Sequence, residues 1–172
     1  LHDQRTKLPT PTGSRQLDPP GAVNARSFAA YDSGMDRTIF EPEHEEFRSA
    51  VTTFAQRSVL PNLDKMIEAR LIDRDIWREA GRQGFLGLEV PEEYGGSQAD
   101  DYRFNTILAE ELSKASLGFN SSFQIHEDIV APYLVDLGTE DLKARLLPGF
   151  CSGDLVAGIG MTEAGGGTDL AA

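Results

Sequence analysis

The sequence predicts an all-α fold, a bundle of about six helices that leads into the first strand of a truncated β domain. Between residues 41 and 150, apolar side chains recur at helical spacing in several separate stretches. Proline and glycine divide those stretches where helices are expected to begin and end. A short apolar run with glycines at residues 155–161 then indicates a strand. We therefore expect a helical domain over residues 37–153 and the start of a β domain over residues 154–172.

Residues 1–36 carry no apolar periodicity, and we predict a disordered tail there. A targeting peptide is the alternative, but acidic residues and the lack of an apolar h-region oppose it. The chain opens with Leu1 instead of Met, which indicates a fragment, a processed product or a rare start codon. The prolines that would break any helix in this stretch are Pro9, Pro11, Pro19 and Pro20.

The first two predicted helices lie on either side of Pro61. The first begins near Glu41, because Pro42 suits an initial turn and the following glutamates favour the positive end of the helix dipole. The second is predicted over residues 62–69. The apolar stripe of the first helix is Phe47, Val51 and Phe54.

The third helix is predicted over residues 74–83, with Gly84 as its C-terminal cap. Residues 85–94 read as an apolar turn that ends at Pro91 and the glycines after it. The fourth helix is predicted over residues 102–114. The side chains expected to face inward from these two helices are Ile76, Trp77, Ala80, Phe104, Ile107, Leu108 and Leu112.

The fifth helix is predicted over residues 121–137, with a kink at Pro132. Its expected apolar residues include Ile125, Ile129, Val130, Tyr133, Leu134 and Leu137. The sixth is predicted over residues 140–150, after Gly138 and Thr139 end one helix and cap the next. The strand that follows cannot satisfy its own backbone, so we expect it to pair with sequence that this chain lacks.

Three glycines follow the predicted strand, between the hydroxyls of Thr162 and Thr168. Consecutive glycines permit positive φ and carry no Cβ, so backbone amides can close on a phosphate or an aromatic cofactor. A plain glycine turn is the alternative. A Walker loop is excluded because no lysine follows, and the spacing does not fit a Rossmann dinucleotide motif.

The chain resembles the acyl-CoA dehydrogenase family. Residues 161–170 (MTEAGGGTDL) resemble that family's flavin-contacting signature, MTEPGAGSDL, with departures at Ala164, Gly166 and Thr168. Residues 41–48 resemble the opening of its first helix, residues 84–96 its G-x-L-G-x-x-x-P-E-x-Y-G-G stretch, and residues 138–154 its later G-T-E and L-P motifs. Four ordered motifs over residues 38–172 identify the chain as a member.

The resemblance implies FAD as the cofactor. It implies contacts from the strand end to the flavin edge, and contacts from the glycine loop to the phosphate side and the CoA substrate. Uncharged donors suit this task, because they stabilise negative charge on the reduced ring without a proton to manage. The cofactor-binding residues that it implies are Ile159, Gly160, Met161, Thr162, Gly167 and Thr168, with Thr168 also near substrate.

The implied reaction removes an α proton from an acyl-CoA and passes a β hydride to flavin N5, which gives the trans-2-enoyl-CoA. The glutamate base of the family lies far downstream, so we assign no catalytic residue here and expect this chain alone to be inactive. Acyl-CoA oxidases and flavin-dependent hydroxylases of the same fold are one alternative. A non-catalytic helical interaction module is another.

The resemblance also implies a homotetramer that passes electrons to an electron-transferring flavoprotein. It implies a cytoplasmic location if the protein is bacterial and the mitochondrial matrix if it is eukaryotic. Residues 123–134 resemble the H-x-x-I-V-x-P-Y-I of long-chain members, which hints at a long acyl substrate. The formal charge of −12 fits nucleic acid and anionic membranes poorly, and no apolar run reaches transmembrane length.

Other candidate groups receive structural interpretations. His126, Glu127 and Asp128 have no further ligand at metal spacing, so we predict no metal site. The pair Glu110 and Glu111 reads as a solvated helix edge. Residues 91–96 read as a structural turn, which the resemblance places near the acyl pocket. Cys151 is the only cysteine, which excludes an internal disulfide, favours a reducing compartment and indicates an ordinary small residue.

Overall fold

The computed structural model describes residues 38–164. The predicted tail at residues 1–36 and the glycine loop at residues 165–168 lie outside that range. Within it, every regular element is helical, which confirms the predicted all-α class. None of the helices in this range combines the length and the hydrophobicity that crossing a lipid bilayer would require.

The first two predicted helices are joined by two short helical turns. Helix α1 (Pro42–Phe54) begins where the sequence predicts, with the proline in its first turn. It continues through a π turn (Ala55–Val59) and a 3-10 turn (Leu60–Asn62) into α2 (Leu63–Ala69). The α-helix is therefore interrupted around Pro61, as predicted, and the predicted second helix is formed at Leu63–Ala69.

Helix α3 (Arg74–Arg82) starts at Asp73, whose carboxylate accepts a hydrogen bond from the Asp75 amide at 3.1 Å. The chain leaves this helix through Gly84, at φ 72°, as predicted. Residues 85–91 are irregular and lead into a 3-10 turn (Glu92–Tyr94). The residues that α3 buries are the predicted Ile76, Trp77 and Ala80.

Helix α4 (Arg103–Ala115) matches its prediction, but the fifth predicted helix starts four residues early. It runs as α5 (Leu117–Gln124), a π turn (Ile125–Val130) and α6 (Ala131–Leu137). The Ser116 hydroxyl caps its first turn by accepting from the Phe119 amide at 3.3 Å. A capping serine was therefore the start signal that the sequence analysis missed.

The π turn before Pro132 also rotates the buried face of the fifth helix. Its extra residue per turn shifts the register, so part of the predicted apolar face points to solvent. Ile129, Tyr133 and Leu137 are exposed. The residues that are buried there are Phe123, His126, Glu127 and Ala131.

Helix α7 (Glu140–Ser152) begins at Thr139, whose hydroxyl accepts from the Leu142 amide at 3.3 Å. It ends at Gly153, at φ 76°. Aromatic rings fill the centre of the bundle, where Trp77 stacks on Phe123 at a centroid distance of 4.9 Å and an interplanar angle of 5°. A second apolar cluster is formed by α6, α7 and the irregular residues 85–91, and it contains Val90, Ala131, Leu147, Phe150 and Cys151.

The predicted strand at residues 155–161 is not formed within the described range, where the segment has no ladder partner. Leu155 and Ala157 pack on the second cluster, whereas Val156 and Gly158 are exposed. This alternation is that of a strand with one face on a core. A single segment without a neighbour cannot complete the hydrogen-bond pattern that defines a strand.

Candidate functional site

The segment of residues 158–164 projects from the end of the helical domain and is exposed throughout. Its backbone groups make no hydrogen bond with any of the described residues. A Cβ at Gly158 or Gly160 would meet nothing within 4 Å. Ile159 is 39% exposed and Met161 is 54% exposed. Open amides beside small residues and unpaired apolar side chains fit a flat aromatic ligand that approaches the main chain.

The structure brings four of the predicted cofactor residues onto this segment: Ile159, Gly160, Met161 and Thr162. Gly167 and Thr168 lie outside the described residues. The helical domain places the segment through two contacts at its base. The Leu155 amide donates to the Gly149 carbonyl at 2.9 Å, and Arg74 Nη1 donates to the Asp154 carbonyl at 2.9 Å.

A third contact at the base of the segment comes from His126, which is 0% exposed. Its Nδ1 accepts a hydrogen bond from the Ala157 amide at 3.2 Å, and its Nε2 lies 3.3 Å from the Phe150 carbonyl oxygen. The amide can only donate and the carbonyl can only accept, so the imidazole is neutral with its proton on Nε2. Burial lowers the pKa of His126 to about 4, which keeps it in that form at neutral pH.

The neighbouring Glu127 fixes the loop that follows α3. Both of its carboxyl oxygens lie 2.9 Å from the Gly87 amide, and one also accepts from the Leu88 amide at 3.3 Å. Glu127 is 1% exposed, and burial raises its pKa to about 8 against the opposing effect of these bonds. These contacts of His126 and Glu127 were not predictable from local spacing, because their partners are distant in sequence.

Cys151 packs beside this loop and is 4% exposed. Burial first, and the charge of Glu127 second, raise the pKa of its thiol to about 12. A thiol that stays protonated is a poor nucleophile and a poor metal ligand. The interpretation of Cys151 as an ordinary small residue is therefore supported.

The prediction that Glu110 and Glu111 form a solvated edge is wrong for Glu111, which is 1% exposed. Its carboxylate accepts from Arg48 at 2.7 Å, from Lys114 at 2.7 Å and from Thr52 at 3.1 Å. Arg48 also donates to Glu110 at 2.9 Å. The cause is the packing of α1 against α4, which brings a cation to the carboxylate from 63 residues away.

Glu41, Glu43 and His44 each offer a ligand atom within 4.8 Å of the others, which is the spacing of a metal site. Both ring nitrogens of His44 are already engaged. Nδ1 accepts from the Glu41 amide at 3.1 Å, and Nε2 lies 3.1 Å from the carboxylate of Asp101. No imidazole nitrogen remains for a metal, so this group stabilises the start of α1.

A groove of about 490 Å³ lies between α2, α3 and the start of α5, and Val156 forms part of its wall. Two of its lining residues, Ile67 and Leu71, are 65% and 70% exposed. Large apolar side chains exposed side by side indicate a surface that another part of a protein covers.

The comparisons with known proteins agree with this geometry. The family described as acyl-CoA dehydrogenase, N-terminal domain, matches residues 41–154. The long-chain specific acyl-CoA dehydrogenase of Sus scrofa mitochondria is 34% identical over 158 residues, which cover 92% of this chain and 35% of that relative. The chain thus spans about a third of the relative's length.

Solved structures give the same result. The crystal structure of an acyl-CoA dehydrogenase from Geobacillus kaustophilus superposes with a TM-score of 0.72 at 35% identity, covering 78% of this chain and 35% of that one. An acyl-CoA dehydrogenase from Bacillus anthracis, solved in complex with FAD, superposes with a TM-score of 0.70 at 33% identity, covering 79% and 24%. The chain therefore belongs to the acyl-CoA dehydrogenase family and contains that family's N-terminal domain at residues 41–154.

Proposed function

We propose that the protein is an FAD-dependent acyl-CoA dehydrogenase that converts an acyl-CoA thioester to the trans-2-enoyl-CoA. One observation carries the proposal. The residues that resemble the flavin signature begin at Met161, within an exposed segment whose amides have no hydrogen-bond partner among the described residues, at the end of a domain that belongs to this family. Bound FAD would supply the acceptor for the hydride that leaves the β carbon of the substrate.

In this proposal, the backbone of Ile159, Gly160 and Met161 and the hydroxyl of Thr162 hold the flavin edge. Amides and a hydroxyl carry no titratable proton, so they stabilise negative charge on the ring at any pH near neutrality. Gly160 lets the ring approach the backbone closely, because nothing projects from its Cα. Gly167 and Thr168 are proposed to hold the phosphate side, and Thr168 to lie near the substrate.

We propose that no residue of this chain abstracts the α proton, and that residues 1–172 alone are inactive. The buried carboxylates of the described part are engaged elsewhere. Glu111 is held by Arg48 and Lys114, and Glu127 by the Gly87 and Leu88 amides. A general base needs a carboxylate that can reach the substrate, and both of these carboxylates are buried and bonded to other groups.

A long acyl substrate is the finer proposal. It is supported by the identity with the Sus scrofa long-chain enzyme. The resemblance of residues 123–134 to long-chain members lends less support, because His126 in that stretch packs against Phe150 in the core, at a centroid distance of 3.5 Å.

The test is anaerobic addition of acyl-CoA thioesters of increasing length to the complete gene product. A dehydrogenase bleaches the flavin absorbance with its preferred substrate. Peroxide released in air in step with substrate oxidation would favour an acyl-CoA oxidase instead. A complete gene product that contains no flavin and does not turn over any acyl-CoA would favour a helical interaction module.

A homo-oligomer, by resemblance a tetramer, and an electron-transferring flavoprotein are the proposed partners. Ile67, Leu71 and Leu117 are all more than half exposed, which supports association through an apolar surface. The proposed location is the cytoplasm for a bacterial source and the mitochondrial matrix for a eukaryotic one. Light scattering on the complete gene product tests the assembly.

A further inference from the structure

We propose that His126 is a positioning residue for the segment of residues 158–164, acting through its hydrogen bond from the Ala157 amide. The inference rests on the proposed function, because the proposed function assigns flavin binding to this segment. Three observations carry it: the position of the bond along the chain, the rigidity of the imidazole, and the donor and acceptor pattern.

The bond is the last one before the projecting segment. Within residues 38–164, no hydrogen bond or ion pair involves a residue after Ala157. Met161 lies only four positions after Ala157, a span of about 14 Å at full extension. A fixed amide at Ala157 therefore limits where the flavin-facing residues can lie. Losing the bond would leave, among the described residues, the hydrogen bonds at Asp154 and Leu155 and the packing of Leu155 and Ala157 on the second cluster to hold the base of the segment.

The imidazole is packed against two aromatic rings. Its ring lies at a centroid distance of 3.5 Å from Phe150, nearly parallel to it, and 5.3 Å from Trp77. Nε2 lies 3.3 Å from the Phe150 carbonyl oxygen, which sets the rotation of the ring. Nδ1 consequently points at the Ala157 amide. Stacking and one hydrogen bond fix the ring relative to Phe150 on α7. The ring therefore fixes the Ala157 amide, at the start of the segment, relative to α7.

The two ring nitrogens can be tested separately, because two side chains each reproduce one of them. The amide oxygen of asparagine is attached to Cγ, as Nδ1 is, so His126→Asn keeps an acceptor for Ala157. The amide nitrogen of glutamine lies one bond further out, as Nε2 does, so His126→Gln keeps a donor for the Phe150 carbonyl. Both variants lose the ring, so a purely structural role affects them alike.

A second pair of variants approaches the same bond from the segment. Ala157→Pro removes the donor N–H and leaves every side chain of the buried cluster in place. Val156→Pro is the matched control, because the Val156 amide makes no hydrogen bond with the described residues and its side chain is exposed. This pair keeps the test valid if the His126 variants fail to fold.

The position of the segment is measured without flavin, by energy transfer in the 172-residue chain. Trp77 is its only tryptophan. A dye on the thiol introduced by Met161→Cys accepts the transfer, and Cys151 stays unlabelled because it is buried. We expect His126→Gln and Ala157→Pro to broaden the distribution of distances between Trp77 and the dye and to lower the anisotropy of the dye. We expect His126→Asn and Val156→Pro to leave both quantities near those of the parent chain.

FAD affinity is measured in parallel on the unlabelled complete gene product. We expect His126→Gln and Ala157→Pro to weaken FAD binding roughly tenfold relative to their matched controls, the change that one hydrogen bond gives. The inference would be overturned if His126→Gln and His126→Asn had equal effects on energy transfer or on FAD affinity, and likewise if Ala157→Pro and Val156→Pro did. If the parent protein takes up no FAD, the proposed function fails, and the transfer data alone then decide whether His126 positions the segment.

Discussion

Arg48 on α1 reaches across the helix interface to within 2.7 Å of the carboxylate of Glu111 on α4. The side chain of Glu111 is only 2% exposed, and that of Arg48 is 19% exposed. The hydrogen bonds from Arg48 to Glu111 and Glu110 raise the pKa of the guanidinium, although burial, the largest single influence, opposes them. The pair therefore joins the first and fourth predicted helices. The buried negative charge of Glu111 would be strongly destabilising without a cation beside it.

Replacing Arg48 tests this relationship. Arg48→Met leaves the buried Glu111 with Lys114 as its remaining cation, and we expect the free energy of unfolding to fall by about 3–5 kcal/mol. The control is Arg82→Met, which removes an exposed ion pair with Glu79 and should cost less than about 1 kcal/mol. Urea titration followed by Trp77 fluorescence measures both, and equal losses would contradict the buried role of the pair.

The helices were predictable because their signals are local. Apolar spacing, Pro42 in the first turn and the cap at Thr139 act within a few residues of the backbone that they shape. Glu111 was misjudged because its partner lies 63 residues away. Local spacing contains no information about which helices pack together, so a carboxylate beside another carboxylate looked solvated.

The pair His126 and Glu127 predicts an unusual dependence of stability on pH. Burial lowers the pKa of His126 from 6.5 to about 4, so its stabilisation is complete above pH 6.5 and is lost as pH falls towards 4. Burial raises the pKa of Glu127 from 4.5 to about 8, so its stabilisation is complete below pH 4.5 and is lost as pH rises towards 8. The two slopes cancel between pH 4.5 and pH 6.5.

Above pH 6.5 only the Glu127 slope remains, so we expect the free energy of unfolding to fall by about 2 kcal/mol between pH 6.5 and pH 8. Glu127→Gln removes that titration, and its stability should stay level over the same interval. Urea titrations at closely spaced pH values measure the difference between the two proteins. A parallel decline in both would show that Glu127 is not the responsible group.

Gly153 ends α7 at φ 76°, where an added Cβ would collide with the Trp77 carbonyl and the Arg78 amide. Gly84 has a similar φ of 72°, but a Cβ there meets nothing within 4 Å. Gly84→Ala should therefore lower the free energy of unfolding by only about 1–2 kcal/mol, which is the penalty for an alanine in the left-handed conformation. Gly153→Ala should lower the free energy of unfolding by at least twice as much, and similar losses in denaturant titrations would exclude the collision.

The exposed groove predicts association of the chain. Ile67→Glu with Leu71→Glu places charges on it, and we expect the average mass in light scattering to fall at high protein concentration. Tyr133→Glu is the control, because Tyr133 is 57% exposed but does not line the groove. A parent chain that is monomeric at high concentration would contradict the prediction.

The site was predictable only in part. Resemblance located Met161 and Thr162, and the structure places both on an exposed segment. The predicted strand could not form without a partner, and residues 165–168 lie outside the described range. The anchor at His126 gave no sequence signal, because its contacts come from Phe150 and Ala157, 24 and 31 residues away.

The most direct test of the central claim is the flavin content of the complete gene product, isolated gently without added cofactor. The account predicts a yellow protein with stoichiometric FAD, and weaker FAD retention after Thr162→Val, which keeps the shape of the side chain but removes its hydroxyl. A colourless protein that also fails to take up FAD, FMN or riboflavin would contradict it.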